Sequence, residues 1–97
     1  MATRVIELVG NNLAAGQTQD FFAFGFGPRD ALAVTAIAGR FSHGGTPRYL
    51  LSVENVRVET HGGDTLEEPI FRVFLTVRNL GADTVPNYAV NIGVISP

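Results

Sequence analysis

Apolar and polar side chains alternate with a period of two along much of this chain, and no segment shows the periodicity of a helix. In the clearest run, 70–80, the odd positions from 71 to 77 are apolar, and Arg72, Thr76 and Arg78 alternate with them. These apolar positions are Phe71, Val73, Leu75 and Val77. A period of two places successive side chains on opposite faces of a sheet, so that one face is buried and the other is exposed. The pattern therefore predicts an all-β protein.

Clusters of glycine, proline, asparagine and aspartate divide the chain into six predicted strands. They lie at 4–9, 18–26, 31–41, 48–60, 70–80 and 87–96. A seventh short strand is expected near 13–15 or within 61–69. Short strands with turn signals at this spacing predict an antiparallel β-sandwich of six or seven strands, immunoglobulin-like or jelly-roll-like, that forms a single domain over 1–97.

Two of the predicted strands have distinctive side-chain patterns. Both faces of 31–41 are apolar or small, so we expect this strand to be central and covered on both sides. In 48–60 the apolar positions change from odd, at Leu51 and Val53, to even, at Val56 and Val58. Such a slip would turn every later side chain to the wrong face unless a bulge absorbs it. We therefore predict a bulge or a sheet-switching bend near Glu54 and Asn55.

The charge content of the chain points to association. Only 16% of the residues are charged, against about 25% in typical domains. A small domain normally covers its large surface with charge, so we expect part of this surface to be covered by a protein partner or by a second copy. The alternative is a monomer whose surface is covered by serine, threonine, asparagine and glycine.

The sequence also argues against nucleic-acid binding, a membrane-spanning helix and a signal peptide. Seven arginines are scattered among nine acidic residues, which does not make the cationic face that nucleic acids require. The longest apolar run, 31–38, is shorter than the roughly 20 residues of a membrane helix. Segment 1–9 does not resemble a signal peptide, so a cytoplasmic location is the default expectation, with secretion or a place in an assembly left open.

The two histidines have similar surroundings, because His43 and His61 each follow a hydroxyl residue and precede two glycines. A fully extended segment 48–60 would span about 40 Å and hold them apart. We therefore expect two hairpin loops rather than a joint metal or catalytic site. A polar group of His61 and Asp64 in the second loop is the alternative, as a surface metal site.

No credible catalytic set is visible in the sequence. The chain has no cysteine, which excludes disulfides and thiolate chemistry, and its serines lie in no nucleophile-elbow context. An enzyme would have to join His61 with Asp64 or Glu68. The sequence therefore predicts a non-enzymatic protein without a cofactor.

Arginine side chains alternate outward on two neighbouring predicted strands. If 48–60 and 70–80 pair as a hairpin, these arginines share an exposed face with Glu54 and Glu59. The simplest interpretation is cross-strand charge pairing, worth about 0.2–1 kcal/mol for each pair. The functional hypothesis is a polar partner-binding face with two aromatic contacts. Its residues are Tyr49, Arg57, Arg72, Phe74 and Arg78.

Two short segments resemble bacterial immunoglobulin-like accessory domains, including the adhesion-related CARDB type. Segment 75–81, LTVRNLG, is similar to a strand end of those domains, and 13–18, LAAGQT, is similar to the segment that precedes another strand. The two motifs occur here in the reverse order. We expect Asn79 to satisfy turn amides and Gly81 to adopt positive φ. The resemblance implies a non-catalytic role in adhesion, spacing or binding.

Segment 53–56, VENV, resembles a strand of the small H-type lectins, which are compact sandwiches that assemble as trimers. This resemblance implies carbohydrate binding, although the chain lacks tryptophan and has only two tyrosines on which a sugar could stack. We therefore expect a structural or binding module that acts through its surface, by self-association or by docking on a protein partner. A lectin-like, carbohydrate-binding module is the alternative.

Overall fold

The computed structural model describes residues 1–39, 49–62 and 69–97, which form six strands and no helix. The strands are β1 (Ala2–Leu13), β2 (Thr18–Phe24), β3 (Ala31–Ala38), β4 (Leu51–His61), β5 (Ile70–Asn79) and β6 (Val85–Ser96). The all-β prediction is confirmed. No seventh strand occurs among these residues, and most of 61–69 lies outside them.

The strands form two antiparallel sheets of three strands each, as a β-sandwich requires. The first sheet has the order β1-β6-β3, and the second has the order β2-β5-β4. In immunoglobulin-type sandwiches the first two strands are neighbours in one sheet. Here β1 and β2 lie in different sheets, so the strand order favours the jelly-roll alternative.

The core lies between the two sheets and is built mainly by their central strands. The predicted inward positions Val73, Leu75 and Val77 of β5 are confirmed, because they are buried, and alternate side chains of β6 are buried in the same way. The buried apolar residues are Leu13, Ala23, Val73, Leu75, Val77, Val85, Tyr88, Val90, Ile92 and Val94. Full burial of one such valine, leucine or isoleucine stabilises the fold by about 1.5–3 kcal/mol.

β3 is an edge strand, so the prediction that it is central and covered on both sides is wrong for a single chain. Its even positions, such as Val34, are half-buried against the core, while its odd positions, such as Ile37, are exposed. The physical reason is the sheet order, since β6 rather than β3 occupies the centre of the first sheet. The apolar outward side of β3 is therefore left uncovered by the residues that the structure describes.

The predicted bulge in β4 is confirmed. Glu54 pairs with Thr76 and Arg57 pairs with Phe74, so residues 55–56 lie opposite the single residue 75. Asn55 absorbs the extra residue with a φ of 54°. As a result Val53 and Val58, on either side of the bulge, both pair with buried valines of β5.

Asn79 is buried and joins two turns. Its amide nitrogen donates to the carbonyl oxygens of Leu13, at 2.9 Å, and Asp83, at 2.8 Å. Its side-chain oxygen accepts a hydrogen bond of 2.9 Å from the Gly81 amide, as expected. The expectation of positive φ at Gly81 is wrong, since this conformation occurs instead at Gly16, with a φ of 79°.

Candidate functional site

The outer side of the second sheet carries most of the predicted site residues. We call this surface the arginine face, and it consists of the side chains of β2, β5 and β4 that point away from the core. By the pairing register and the alternation of burial, these are Thr18, Asp20, Phe22, Phe24, Ser52, Glu54, Arg57, Glu59, His61, Ile70, Arg72, Phe74, Thr76 and Arg78.

Four of the five residues predicted for a partner-binding face lie together on it. Arg72, Phe74 and Arg78 alternate along β5, and Arg57 pairs with Phe74 from β4. Tyr49 does not belong to this face, because it packs against the hydrophobic core. The sequence contains a signal for this placement, because Tyr49 is odd-numbered like Leu51 and Val53, whose side chains also pack against the core.

The carboxylates on the arginine face are engaged by neighbouring side chains. Arg78 Nε donates to Glu54 Oε1 at 2.9 Å, and this hydrogen bond is the main cause that lowers the pKa of Glu54. The Thr76 hydroxyl donates to Asp20 Oδ1 at 2.8 Å. These contacts match the simple interpretation of cross-strand polar pairing.

A groove crosses the arginine face beside the β4 bulge. It has a volume of about 450 Å³. The Phe22 and Phe74 rings lie 6.1 Å apart, centroid to centroid, and the Arg57 guanidinium carbon lies 5.1 Å from the Phe74 centroid. The side chains that line the groove are those of Asp20, Phe22, Asn55, Arg57, Phe74 and Thr76, together with residues Phe21 and Leu75. The groove thus combines an aromatic wall with hydrogen-bonding groups of both kinds.

The structure leaves the predicted histidine loops largely untested. His61 ends β4, and its Nε2 lies 3.1 Å from Glu59 Oε2. Gly62 has a φ of 79°, as expected for a loop glycine. His43 and Asp64 lie outside the described residues. Within the described ranges, no group of three histidine or acidic side chains could hold a metal ion.

The outer side of the first sheet is a second candidate surface, which the sequence analysis did not locate. We call it the aliphatic face. By the pairing register it consists of Thr3, Val5, Glu7, Val9, Asn11, Ala31, Ala33, Thr35, Ile37, Asn87, Ala89, Asn91, Gly93 and Ile95. Glu7 is the one charged residue in this set. Four of its large side chains are exposed, namely Val5 (66%), Val9 (62%), Ile37 (59%) and Ile95 (41%).

A further apolar opening lies between the sheets. It is lined in part by Val56 and Val58 of β4, which are half exposed, and by Phe26, Leu32 and Phe71. Asp30 and Thr60 also line it, so the opening is mixed in character. The aliphatic face differs because its apolar side chains extend across three paired strands with a single charge among them.

The chain matches no family model, no curated protein and no solved structure. The resemblances to CARDB-type domains and to H-type lectins therefore stay predictions. Across 1–39, 49–62 and 69–97, no helix has the length and apolar character needed to cross a membrane.

Proposed function

We propose that this protein is a non-enzymatic β-sandwich module that acts through its surface, and that its main activity is self-association. The aliphatic face is the single observation that supports this best. It presents exposed valine and isoleucine side chains over a whole sheet with one carboxylate. Burial of apolar surface is worth about 25 cal/mol per Å², so this face favours contact with another apolar surface.

The low charge content of the chain is consistent with this proposal. Monomeric proteins rarely expose contiguous apolar patches beyond a few hundred Å². The arginine face carries much of the charge of the described residues, whereas the aliphatic face carries Glu7 alone. The uncharged surface that the composition predicts is therefore concentrated on one side of the sandwich, where a protein partner or a second copy can cover it.

The non-enzymatic part of the proposal draws support from the groove on the arginine face. A general acid at neutral pH needs a raised carboxyl pKa. The nearby Glu54 has a lowered pKa, because Arg78 stabilises its ionised form. Asp20 is exposed and accepts a hydrogen bond from Thr76. Glu54 therefore suits hydrogen bonding to a ligand better than proton donation.

Size-exclusion chromatography with light scattering, over a dilution series, tests the self-association. We expect a molar mass of at least twice the 10.4 kDa of the chain at high concentration, falling towards 10.4 kDa on dilution. We expect the molar mass to fall on dilution because the aliphatic face is too small to hold the copies together at low concentration. A molar mass of one chain at every concentration would contradict the proposal.

Carbohydrate binding in the groove of the arginine face is the second candidate function. Sugar rings stack on aromatic faces, while their hydroxyl groups need donors and acceptors beside the ring. The exposed Phe22 and the half-buried Phe74 supply such a platform, and Asp20, Asn55 and Arg57 supply the polar groups. A phenylalanine platform was not predicted from the sequence, because that expectation rested on tryptophan and tyrosine as the stacking side chains.

A glycan array tests this second candidate. Phe74→Ala removes the platform, so we expect any glycan bound by the natural protein to be lost. Phe24→Ala is the matched control, because Phe24 is exposed on the same face but does not line the groove. Absence of binding to every glycan, or equal binding by the two variants, counts against a sugar site in the groove.

A further inference from the structure

We propose that the aliphatic face binds a second copy of this chain, face to face, across a two-fold axis that runs parallel to β6. This inference rests on the proposed self-association and specifies its surface and its geometry.

The register arranges the aliphatic face in rows that cross the three strands. The central row is polar and contains Glu7 on β1, Asn91 on β6 and Thr35 on β3. A row of apolar and small residues lies on either side of it. One consists of Val5, Gly93 and Ala33, and the other consists of Val9, Ala89 and Ile37. The face is thus a polar stripe between two apolar stripes.

Two kinds of two-fold axis can bring this face against itself. An axis perpendicular to the strands, along the polar row, places β1 over β1, so that Glu7 opposes Glu7. An axis parallel to β6 places β1 over β3, so that Glu7 opposes Thr35 and Asn91 opposes Asn91. Opposed like charges destabilise a contact, whereas a hydroxyl can donate to a carboxylate and two amides can exchange hydrogen bonds. The charge pattern therefore favours the axis parallel to β6.

The apolar rows also match under this axis. Val9 of one copy opposes Ile37 of the other, and Val5 opposes Ala33. At about 3.4 Å per residue and 4.8 Å between strands, the three strands present roughly 500 Å² of face, so a pair of copies buries roughly 1,000 Å². This area is near the lower bound for a specific interface. We therefore expect a dimer that dissociates on dilution.

Gly93, at the centre of this face, provides an independent argument. Glycine inside a strand weakens it and often marks the close approach of another backbone. A Cβ at Gly93 would meet its nearest neighbour, the Ala33 carbonyl oxygen, at 3.7 Å, which is ordinary contact. Nothing within the described chain requires glycine there. A second sheet that packs closely on the face accounts for it.

Oppositely charged variants at the paired positions test the geometry. We expect Val9→Glu and Ile37→Lys each to be monomeric where the natural protein is dimeric, because each places an unpaired charge against an apolar side chain. A mixture of the two should dimerise again, since Glu at one position then opposes Lys at the other. Phe24→Glu is the control on the opposite face, with 64% exposure against 62% for Val9, and should remain dimeric.

Each outcome distinguishes the inference from the function on which it rests. If the natural protein is always monomeric, the proposed self-association fails. If it associates but both variants still dimerise, the aliphatic face is not the interface. If both variants are monomeric and their mixture stays monomeric, the axis is wrong.

Cysteine cross-linking provides a second test that tolerates small losses of stability. The chain has no natural cysteine, so only introduced thiols can react. Under oxidising conditions we expect Val9→Cys mixed with Ile37→Cys to give a disulfide-linked dimer. Val9→Cys alone should give little, because its two copies are displaced sideways by about two strand spacings, roughly 10 Å, in addition to the separation of the two sheets. Equal cross-linking of Val9→Cys alone and of the mixture overturns the proposed axis.

Discussion

Asn79 shows how one polar side chain can hold the ends of two sheets together. It is fully buried, and its side chain bonds to three backbone groups, one at the end of β1 and two in the β5–β6 connection. Its own backbone adds bonds to Gly16 and Gln17. The sequence indicated a turn-capping role at this position. The link to Leu13, 66 residues away, could not be predicted, since it depends on how the sheets stack.

Replacement of Asn79 by alanine tests this role. We expect Asn79→Ala to lower the free energy of unfolding by about 2–4 kcal/mol, because two carbonyl oxygens and one amide lose their partner in a largely buried setting. Asn11→Ala, at an exposed position of β1, is the control and should change stability by less than about 0.5 kcal/mol. Urea denaturation measures both. Equal effects would show that Asn79 does not join the turns.

Glu54 makes a pH-dependent contribution to stability. Its pKa is lowered in the folded state, mainly by the Arg78 hydrogen bond. The stabilisation is therefore complete above the unfolded pKa of about 4.3 and is lost as the pH falls through the lower folded value. We expect the urea midpoint of the natural protein to fall more than that of Glu54→Gln between pH 5 and acidic pH.

Arg78→Gln supplies the control for this measurement. In that background Glu54→Gln should lose most of its pH-dependent effect, since the main cause of the shift has gone. If the pH-dependent difference is the same with and without Arg78, the ion pair is not its source.

At the scale of the strand, the β4 bulge was predictable because its cause is local. The change of apolar positions from odd to even within one strand requires a bulge or a bend, and the structure has the bulge. The placement of β3 was not predictable in the same way. Its two apolar faces indicated coverage on both sides, and the sequence does not say whether a neighbouring layer belongs to the same chain or to another.

Asn55 provides a test of the bulge. Its φ of 54° is tolerated by asparagine and glycine but strains a β-branched side chain. We expect Asn55→Gly to be nearly neutral and Asn55→Val to destabilise the fold by about 1–2 kcal/mol. Asn11→Val, at an exposed β1 position without positive φ, is the matched control and should be tolerated. If Asn55→Val is tolerated as well, the bulge conformation is wrong.

At the scale of the whole molecule, the two outer faces of the sandwich are chemically different. The arginine face combines charges, aromatic rings and a groove, whereas the aliphatic face carries a single charge. Grouping Arg57, Arg72 and Arg78 on one face was predictable, because they occupy alternating positions on strands that were expected to pair. The aliphatic face could not be predicted in this way, because its composition depends on which strands neighbour β6. Strand order arises from contacts that local patterns do not specify.

Measurement of amide chemical shifts at a series of protein concentrations tests most directly the central claim that the protein associates through the aliphatic face. We predict that, between dilute and concentrated samples, the largest shifts occur in β1, β3 and β6 around the row of Glu7, Thr35 and Asn91, while β2, β4 and β5 change little. Such a pattern would identify the aliphatic face as the surface through which the protein associates. Spectra that are identical at all concentrations, or shifts concentrated on the arginine face, would contradict the account.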